Sequence, residues 1–276
     1  MRPLILYHGN CIDGFTAAWA ARRAYIEAGQ DPECVPLYYP PAGQDTDIPV
    51  GVLGRIVVMV DFCTSRDQLL RLDTEARRLL VLDHHASHQL ACKGLDFCEF
   101  DMQRSGAGLT WYRFFPGAPR PWLVNYVEDR DLWRFALIDS KEINAYIQTQ
   151  EMTWANWDKM HEEIEPSDAA RLGTGALAYL DHYVRQLAKE ARHTFFAGHE
   201  VPVVNAPYVG TSELVGHLAE GESFAVGWFR RGDGMFQYSL HSQGEVDVSE
   251  VAKRFGGGGH VKAAGFTSAR PPWDFL

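Results

Sequence analysis

The chain has 276 residues, 46% hydrophobic and 22% charged, with a formal charge of −10. That length admits one large domain or two ordinary ones, and no apolar run approaches the roughly 20 residues of a membrane span. The acidic balance excludes the broad basic face that grips long duplex nucleic acid, whereas a site for divalent metal would itself concentrate carboxylates.

The predicted elements alternate from the start. Residues 3–8 form a short apolar strand whose opening run is too short for a signal peptide, so a cytoplasmic location is expected. An alanine-rich helix over 15–28 stops at Gly29. Strands follow over 34–39 and 55–60, then a helix over 66–78 and a strand over 79–82. Continuous apolar strands alternating with helices predict a parallel sheet covered on both faces. Helices are expected over 105–115 and 121–131, then an aromatic helix over 143–164. A long helix should run over 168–193, perturbed at Gly173 and Gly175.

After Gly198 the texture changes. Strands are expected over 200–205, 223–230 and 235–242, the last two joined by a hairpin at Arg231-Gly232-Asp233-Gly234. A short helix over 248–255 leads into Gly256-Gly257-Gly258-Gly259-His260. The reading is α/β throughout. An N-terminal parallel-sheet domain (1–165) is joined by a connecting helix (166–198) to a smaller C-terminal α/β domain (199–276). Five cysteines, an odd number with no CxxC pair, argue against a disulfide framework and a zinc ribbon.

In parallel sheets ligands bind beyond the carboxyl ends of the strands. His8, Asp13, Asp61 and Asp83-His84-His85 all follow predicted strands there, and Asp129 follows a later helix. Oxygen and imidazole donors of this mix suit Mn²⁺, with Mg²⁺ or Co²⁺ as alternatives. A shared carboxylate is the usual way to hold two such ions about 3.5–4 Å apart.

Asp83-His84-His85 with its flanking acids resembles the DHH phosphoesterase superfamily, which includes RecJ-type exonucleases, nano-RNases, cyclic-di-AMP phosphodiesterases and family II inorganic pyrophosphatases. The tail from Phe255 to His260, followed by Ala263-Ala264-Gly265-Phe266 and preceded by Asp247-Val248-Ser249, resembles the glycine-rich signature of the DHH-associated substrate domain. The resemblance covers both ends of the chain and is weakest over 116–192. It implies a DHH metal domain followed by a substrate-binding domain. His8 and Asp61 would hold a first ion, with Asp13, Asp61, His84 and Asp129 holding a second. His85 would meet the substrate phosphate, Asp83 would orient an imidazole, and a water between two Mn²⁺ ions would be the nucleophile. His260 and the amides of Gly257, Gly258 and Gly259 would receive a phosphate or terminal nucleotide. Read from the residues themselves, Arg104 and Ser105 offer either a phosphate contact and a helix cap near the site or a surface arginine and an ordinary cap.

The implied activity is hydrolysis of short single-stranded oligonucleotides or linear dinucleotides, by a monomer or homodimer without stable duplex-DNA binding. The alternatives are a nucleotide phosphomonoesterase, for example on 3′-phosphoadenosine 5′-phosphate, and a non-catalytic nucleotide-binding protein. Three departures from the family pattern stand out. The first motif carries Asp13 but not the preceding acid; Asn10 offers an amide oxygen and Cys11 a thiolate that would favour Zn²⁺. The expectation is an unligated Cys11 and a first ion held by fewer protein groups. Where the family carries S-L-R-S, this chain has Ser239-Leu240-His241-Ser242, placing His241 at the arginine's substrate contact. Finally, Asp131 competes with Asp129 for the fourth motif. Trp133, Tyr146, Trp154 and Trp157 offer either a base-stacking groove or core packing, and Lys262 a phosphate contact or a solvated charge.

Overall fold

The computed structural model describes residues 1–40, 44–49 and 51–275. Two compact units emerge, the first made of Met1–Pro40 with Asp45–Leu177 and the second beginning at Ala178. Among the described residues, no helix is long and apolar enough to cross a membrane.

The first unit opens with β1 (Leu4–His8), α1 (Ile12–Glu27), β2 (Glu33–Leu37), β3 (Ile56–Val60), α2 (Arg66–Glu75) and β4 (Arg78–Asp83). A 3₁₀ turn, Ala86–His88, leads into the short α3 (Gln89–Cys92) and then β5 (Cys98–Phe100). The strands lie in the order β2-β1-β3-β4-β5 and every pairing is parallel, as the continuous apolar strands predict. One face packs Ile5, Val58, Val60 and Leu82 against α1, whose Ala17, Ala18, Ala20 and Ala21 are fully buried. The other face packs Leu6, Val57, Met59 and Val81 against Leu69 and Leu72 of α2. Period-two alternation of the strand side chains thus feeds two separate cores.

Five helices complete this unit or lead out of it: α4 (Gly106–Phe114), α5 (Trp122–Asp131), α6 (Ser140–Gln148), α7 (Trp154–Glu163) and α8 (Pro166–Leu187). The single helix expected over 143–164 is two, because Thr153 caps α7 by accepting a hydrogen bond from the Asn156 amide. Trp157 is buried and Trp154 stacks on Phe15 at 4.4 Å, so these aromatics serve the core. The first half of α8 buries Ala169 and Ala170 in the first unit's core, and its second half buries Val184 in the second unit's.

The second unit comprises β6 (Arg192–Phe196), β7 (His199–Asn205), α9 (Thr211–Leu218), β8 (Ala225–Arg230), β9 (Phe236–His241), α10 (Val248–Lys253), β10 (Gly258–Gly259) and β11 (Ala263–Ser268). Its sheet order is β10-β11-β9-β8-β7-β6, with only β7 and β8 parallel among the described pairings. The sequence misses β6, because the helix expected to reach 193 ends at Leu187. It also misses α9 and β5, the latter only three residues long.

Gly173 and Gly175 do not interrupt α8 but differ in surroundings. A side chain at 173 would collide with the Glu142 carbonyl of α6, whereas 175 faces open space. Gly173→Ala should therefore destabilise the protein by about 1–3 kcal/mol. Gly175→Ala should stabilise it by about 0.5–1 kcal/mol through helix propensity. Urea unfolding of the two variants checks the pair; equal effects would contradict the packing described for α6 and α8.

Candidate metal centre

Three parallel strands end at one edge and bring the acids and imidazoles with them. His8 closes β1, Asp61 follows β3, and Asp83 closes β4 with His84 and His85 next in line. The Asp61 amide donates to the Leu82 carbonyl at 2.9 Å, extending the ladder one residue beyond β3. The backbone then turns through φ 53° at Asp61, a left-handed conformation that aspartate adopts more readily than most side chains. Gly106 makes this possible, since any side chain there would strike the Cα and Cβ of Asp61.

The start of α4 is thereby pressed against the strand ends, and its orphan amides meet an acid. The Gly106 and Ala107 amides donate to Oδ2 and Oδ1 of Asp13 at 2.6 and 3.0 Å. Exposed helix N-terminal amides and their dipole favour such a charge. Ser105 is buried and caps the helix by accepting from the Gly108 amide at 3.2 Å. Its own amide donates to Glu128, which Arg120 holds at 2.8 Å. Arg104 lies 3.6 Å from Asp101 with its guanidinium over the Tyr112 ring at 4.6 Å.

The buried His84 ring is where three carboxylates converge. Its Nε2 is 3.0 Å from Asp61 Oδ1, 3.6 Å from Asp131 Oδ2 and 3.7 Å from Asp13 Oδ2. The other oxygen of Asp61 lies 3.3 Å from His8 Nδ1, so Asp61 joins the two imidazoles. His85 Nδ1 is 2.8 Å from Asp83 Oδ1, and His88 Nδ1 is 3.5 Å from the other oxygen of the same buried acid.

This crowding of like charge perturbs the protonation of the cluster. Burial alone would lower the pKa of His84, but the charges of Asp131, Asp61 and Asp13 push it up to about 10. Burial together with the Asp61 and Asp131 charges raises Asp13 well above the carboxylate range. Burial raises Asp131 too. For Asp61 the same burial is outweighed by hydrogen bonds to His8 and His84, which hold it well below that range. The Cys11 thiol is raised by burial and by Asp61, Asp13 and Asp131.

These residues fit a cation. Asp131 Oδ2 is buried and has no hydrogen-bond partner among the described residues, while facing the imidazole where the other acids meet. Ligand atoms of Asp13, Asp61 and His84 lie within 4.8 Å of one another, as do those of His8, Cys11 and Asp61 and those of Asp61, Asp83 and His85. The hydrogen bonds Asp13 accepts from α4 leave lone pairs on both of its oxygens for a cation.

Of the two acids that compete for the fourth motif, Asp129, the expected ligand, is turned to the α5–α6 connection: its Oδ1 accepts from the Ala136 amide at 3.0 Å, and its Oδ2 takes two donors, the Leu137 amide at 3.2 Å and the Ser140 hydroxyl at 2.6 Å. Asp129 secures the turn from α5 into α6. Asp131, at the last position of α5, is the acid that faces His84. Two residues of helix rotate a side chain by about 200°, so only one of the pair can point at the cluster.

The glycine-rich segment lies in the second unit. The Gly257 amide donates to the Ala252 carbonyl at 3.0 Å, so it is committed to the fold and not presented to a phosphate. A side chain at 257 would collide with Gly265 and Phe266, which gives that glycine a packing role. Gly258 and Gly259 pair with Gly265 and Ala264 of β11. The His260 amide donates to Ala263 at 2.7 Å, closing a tight turn. His241 is buried at the end of β9, between Ala225 and Ala263. Lys262 donates to the Gly244 carbonyl.

Two neighbours of the cluster escape the sequence reading. Tyr39 stacks on Phe62 at 4.3 Å and on His88 at 5.3 Å, with His8 edge-on at 5.1 Å. His88 had a signal, standing three residues after His85 in a turn that returns it to Asp83. Tyr39 had none, because its partners are brought to it only by sheet order.

No family model matches the chain. Uncharacterized protein R106 of Acanthamoeba polyphaga mimivirus is 27% identical over 279 residues, 95% of this chain. The chain spans 66% of that relative's length. Among solved structures, the DHH domain of a member of the S1p family of ribosomal proteins aligns with a TM-score of 0.55 and 14% identity, over 97% of this chain and 82% of that one. RecJ from Thermus thermophilus in complex with Mn²⁺ aligns at 0.51 and 15%, over 97% of this chain and 49% of that one. The pGpG-specific phosphodiesterase PggH from Vibrio cholerae aligns at 0.50 and 11%, over 99% and 95%. The chain has the fold of the DHH superfamily.

The two acids of α5 should separate in experiment. Asp129→Asn should lower stability by about 1–3 kcal/mol, since buried donors lose their charged acceptor. Asp131→Asn should leave the melting temperature of chelator-treated protein unchanged or raised while weakening Mn²⁺ binding by about tenfold or more. Thermal unfolding and calorimetric Mn²⁺ titration decide the assignment, and the reverse pattern would restore Asp129 to the centre.

Proposed function

We propose that this chain is a metal-dependent phosphoesterase that hydrolyses the phosphodiester bonds of short oligonucleotides or linear dinucleotides to mononucleotides. One observation carries the proposal: Asp61 belongs at once to the donor group with His8 and to the donor group with Asp13 and His84. A carboxylate shared in this way is what a pair of divalent ions requires. Similarity in fold to RecJ crystallised with Mn²⁺ and to a pGpG-specific phosphodiesterase supports the same class of chemistry. Mn²⁺ is the first choice of ion on donor type, with Mg²⁺ or Co²⁺ as substitutes.

When bound, such ions polarise the phosphoryl oxygen, lower the pKa of an attacking water and neutralise charge on the leaving oxygen. The protein's own part is to hold and orient. Asp13, Asp61, Asp131 and His84 form one donor set and His8 with Asp61 begins the other. Asp83 takes the Nδ1 side of His85 at 2.8 Å, so the contact with a substrate phosphate falls to Nε2. His88 Nδ1 lies 3.5 Å from the other oxygen of Asp83, and its ring stacks on Tyr39. In the second unit His260 and the Gly258–Gly259 segment are the candidate contacts for a phosphate or terminal nucleotide. The acidic charge of the chain favours a short ligand held locally over a long duplex.

Incubation with Mn²⁺ and end-labelled pGpG, short RNA and short single-stranded DNA should release mononucleotides. Bis(p-nitrophenyl) phosphate should be cleaved faster than its monoester; the opposite preference would mark a phosphomonoesterase. Asp61→Ala should abolish turnover together with the stabilisation by metal. That stabilisation should reach about 2.7 kcal/mol at a hundredfold excess of Mn²⁺ over its Kd and vanish with chelator. Metal bound without any product from these substrates would overturn the proposal.

A further inference from the structure

We infer that Cys11 is a thiolate ligand of the first ion, making the pair asymmetric, with a nitrogen–sulfur–oxygen set beside an oxygen-rich one. The inference rests on the metal-dependent reading above and specifies the chemistry of that centre. The thiol stands with His8 and Asp61 in one group whose ligand atoms lie within 4.8 Å of one another. Backbone geometry directs it there. Asn10 adopts φ 56°, turning the chain sharply between the end of β1 and the start of α1. His8 and Cys11, on either side of that turn, consequently approach the same acid, Asp61, just beyond β3.

Cys11 also occupies the N-cap position of α1, where a side chain would ordinarily accept a backbone hydrogen bond. It makes no such bond among the described residues. Nor does this half-buried thiol belong with the buried sulfurs of Cys63 and Cys92, which lie 3.4 Å from each other. The adjoining donor set, which shares Asp61 with this group, gives an independent sign of a cation: Asp131 Oδ2, 3.6 Å from His84 Nε2, is buried without a hydrogen-bond partner among the described residues.

The donor sets then differ in softness. Asp13, Asp61, Asp131 and His84 are hard or borderline donors suited to Mn²⁺ or Mg²⁺, whereas a thiolate beside His8 and Asp61 selects Zn²⁺ or Co²⁺. Coordination would release the thiol proton to solvent, so that the ligand is the thiolate. The chain would therefore differ in metal preference from a centre with a carboxylate at residue 11, and a mixed pair, with the softer ion beside Cys11, is its natural state.

The test is spectroscopic. Chelator-treated full-length protein is titrated with Co²⁺ while absorption and bound metal are measured together. Wild type should bind two ions, one giving a thiolate-to-cobalt charge-transfer band. Cys11→Ser and Cys11→Ala should lose the band yet still bind cobalt at the other site. Cys63→Ser should keep the band, which separates Cys11 from the Cys63–Cys92 pair. Zinc K-edge absorption of the wild type should show one sulfur neighbour at about 2.3 Å. Cys11→Asp should remove that neighbour and reduce the preference for Zn²⁺ over Mn²⁺ by about tenfold or more. Two bound cobalt ions without the band, or a band unchanged in Cys11→Ala, would overturn the role of Cys11 while leaving a metal centre intact. Absence of bound cobalt in every variant would overturn the metal-dependent reading itself.

Discussion

The constraint on which the first unit depends is the confinement of three carboxylates around one buried imidazole. Asp13, Asp61 and Asp131 all come within 3.7 Å of His84 Nε2, in a place where water screens little. A protein without a ligand to bind would gain by spreading these charges. This one instead spends its architecture on holding them together, through the register of β3 and β4, the left-handed turn at Asp61 and the close approach permitted by Gly106. The raised pKa of His84 and the opposite shifts of Asp13 and Asp61 are consequences of that confinement. A bound cation would relieve it, which is why the cluster reads as a centre for metal and not as an ordinary ion pair.

Around the cluster lies a layer of polar residues that hold its side chains in place. The α4 amides fix Asp13, Glu128 fixes the residue that caps α4, and Arg120 fixes Glu128. Asp129 does the same for the turn that follows α5, leaving Asp131 at the right phase of the helix. Asp83 serves two imidazoles, His85 and His88, with its two oxygens. Such supporting contacts set the tautomer and direction of each ligand, so their loss is expected to act through geometry as much as through charge. In the second unit the glycines follow a related logic. Gly257 and Gly259 are required by close backbone packing against β11, and that packing forms the turn displaying His260.

The alternation of apolar strands with helices was readable from residue order, because burial on both faces of a parallel sheet demands uninterrupted aliphatic strands. Asp61 and Asp83-His84-His85 were readable for a related reason: such strands end at one edge, and acids and imidazoles placed just after them must meet. Short or locally ambiguous elements were not. The three-residue β5 carries too little pattern, β6 continues from a helical stretch without a strong stop, and the break between α6 and α7 depends on a threonine cap. Linear sequence could not choose between Asp129 and Asp131, since both lie in the same helix and only its rotation against α4 and β4 separates them. Tyr39 was likewise beyond reach, being joined to His8 and His88 by the order of strands. The sequence by itself determined the donor types and the sheet edge that collects them. Tertiary structure alone decided which acid faces the cluster, which glycine amide is committed to the fold and that Cys11 stands beside His8 and Asp61. The first depends on how α5 is rotated against distant segments, the second on how the chain turns after α10, and the third on the approach of β1 and α1 to Asp61, all of which packing sets and residue order does not show.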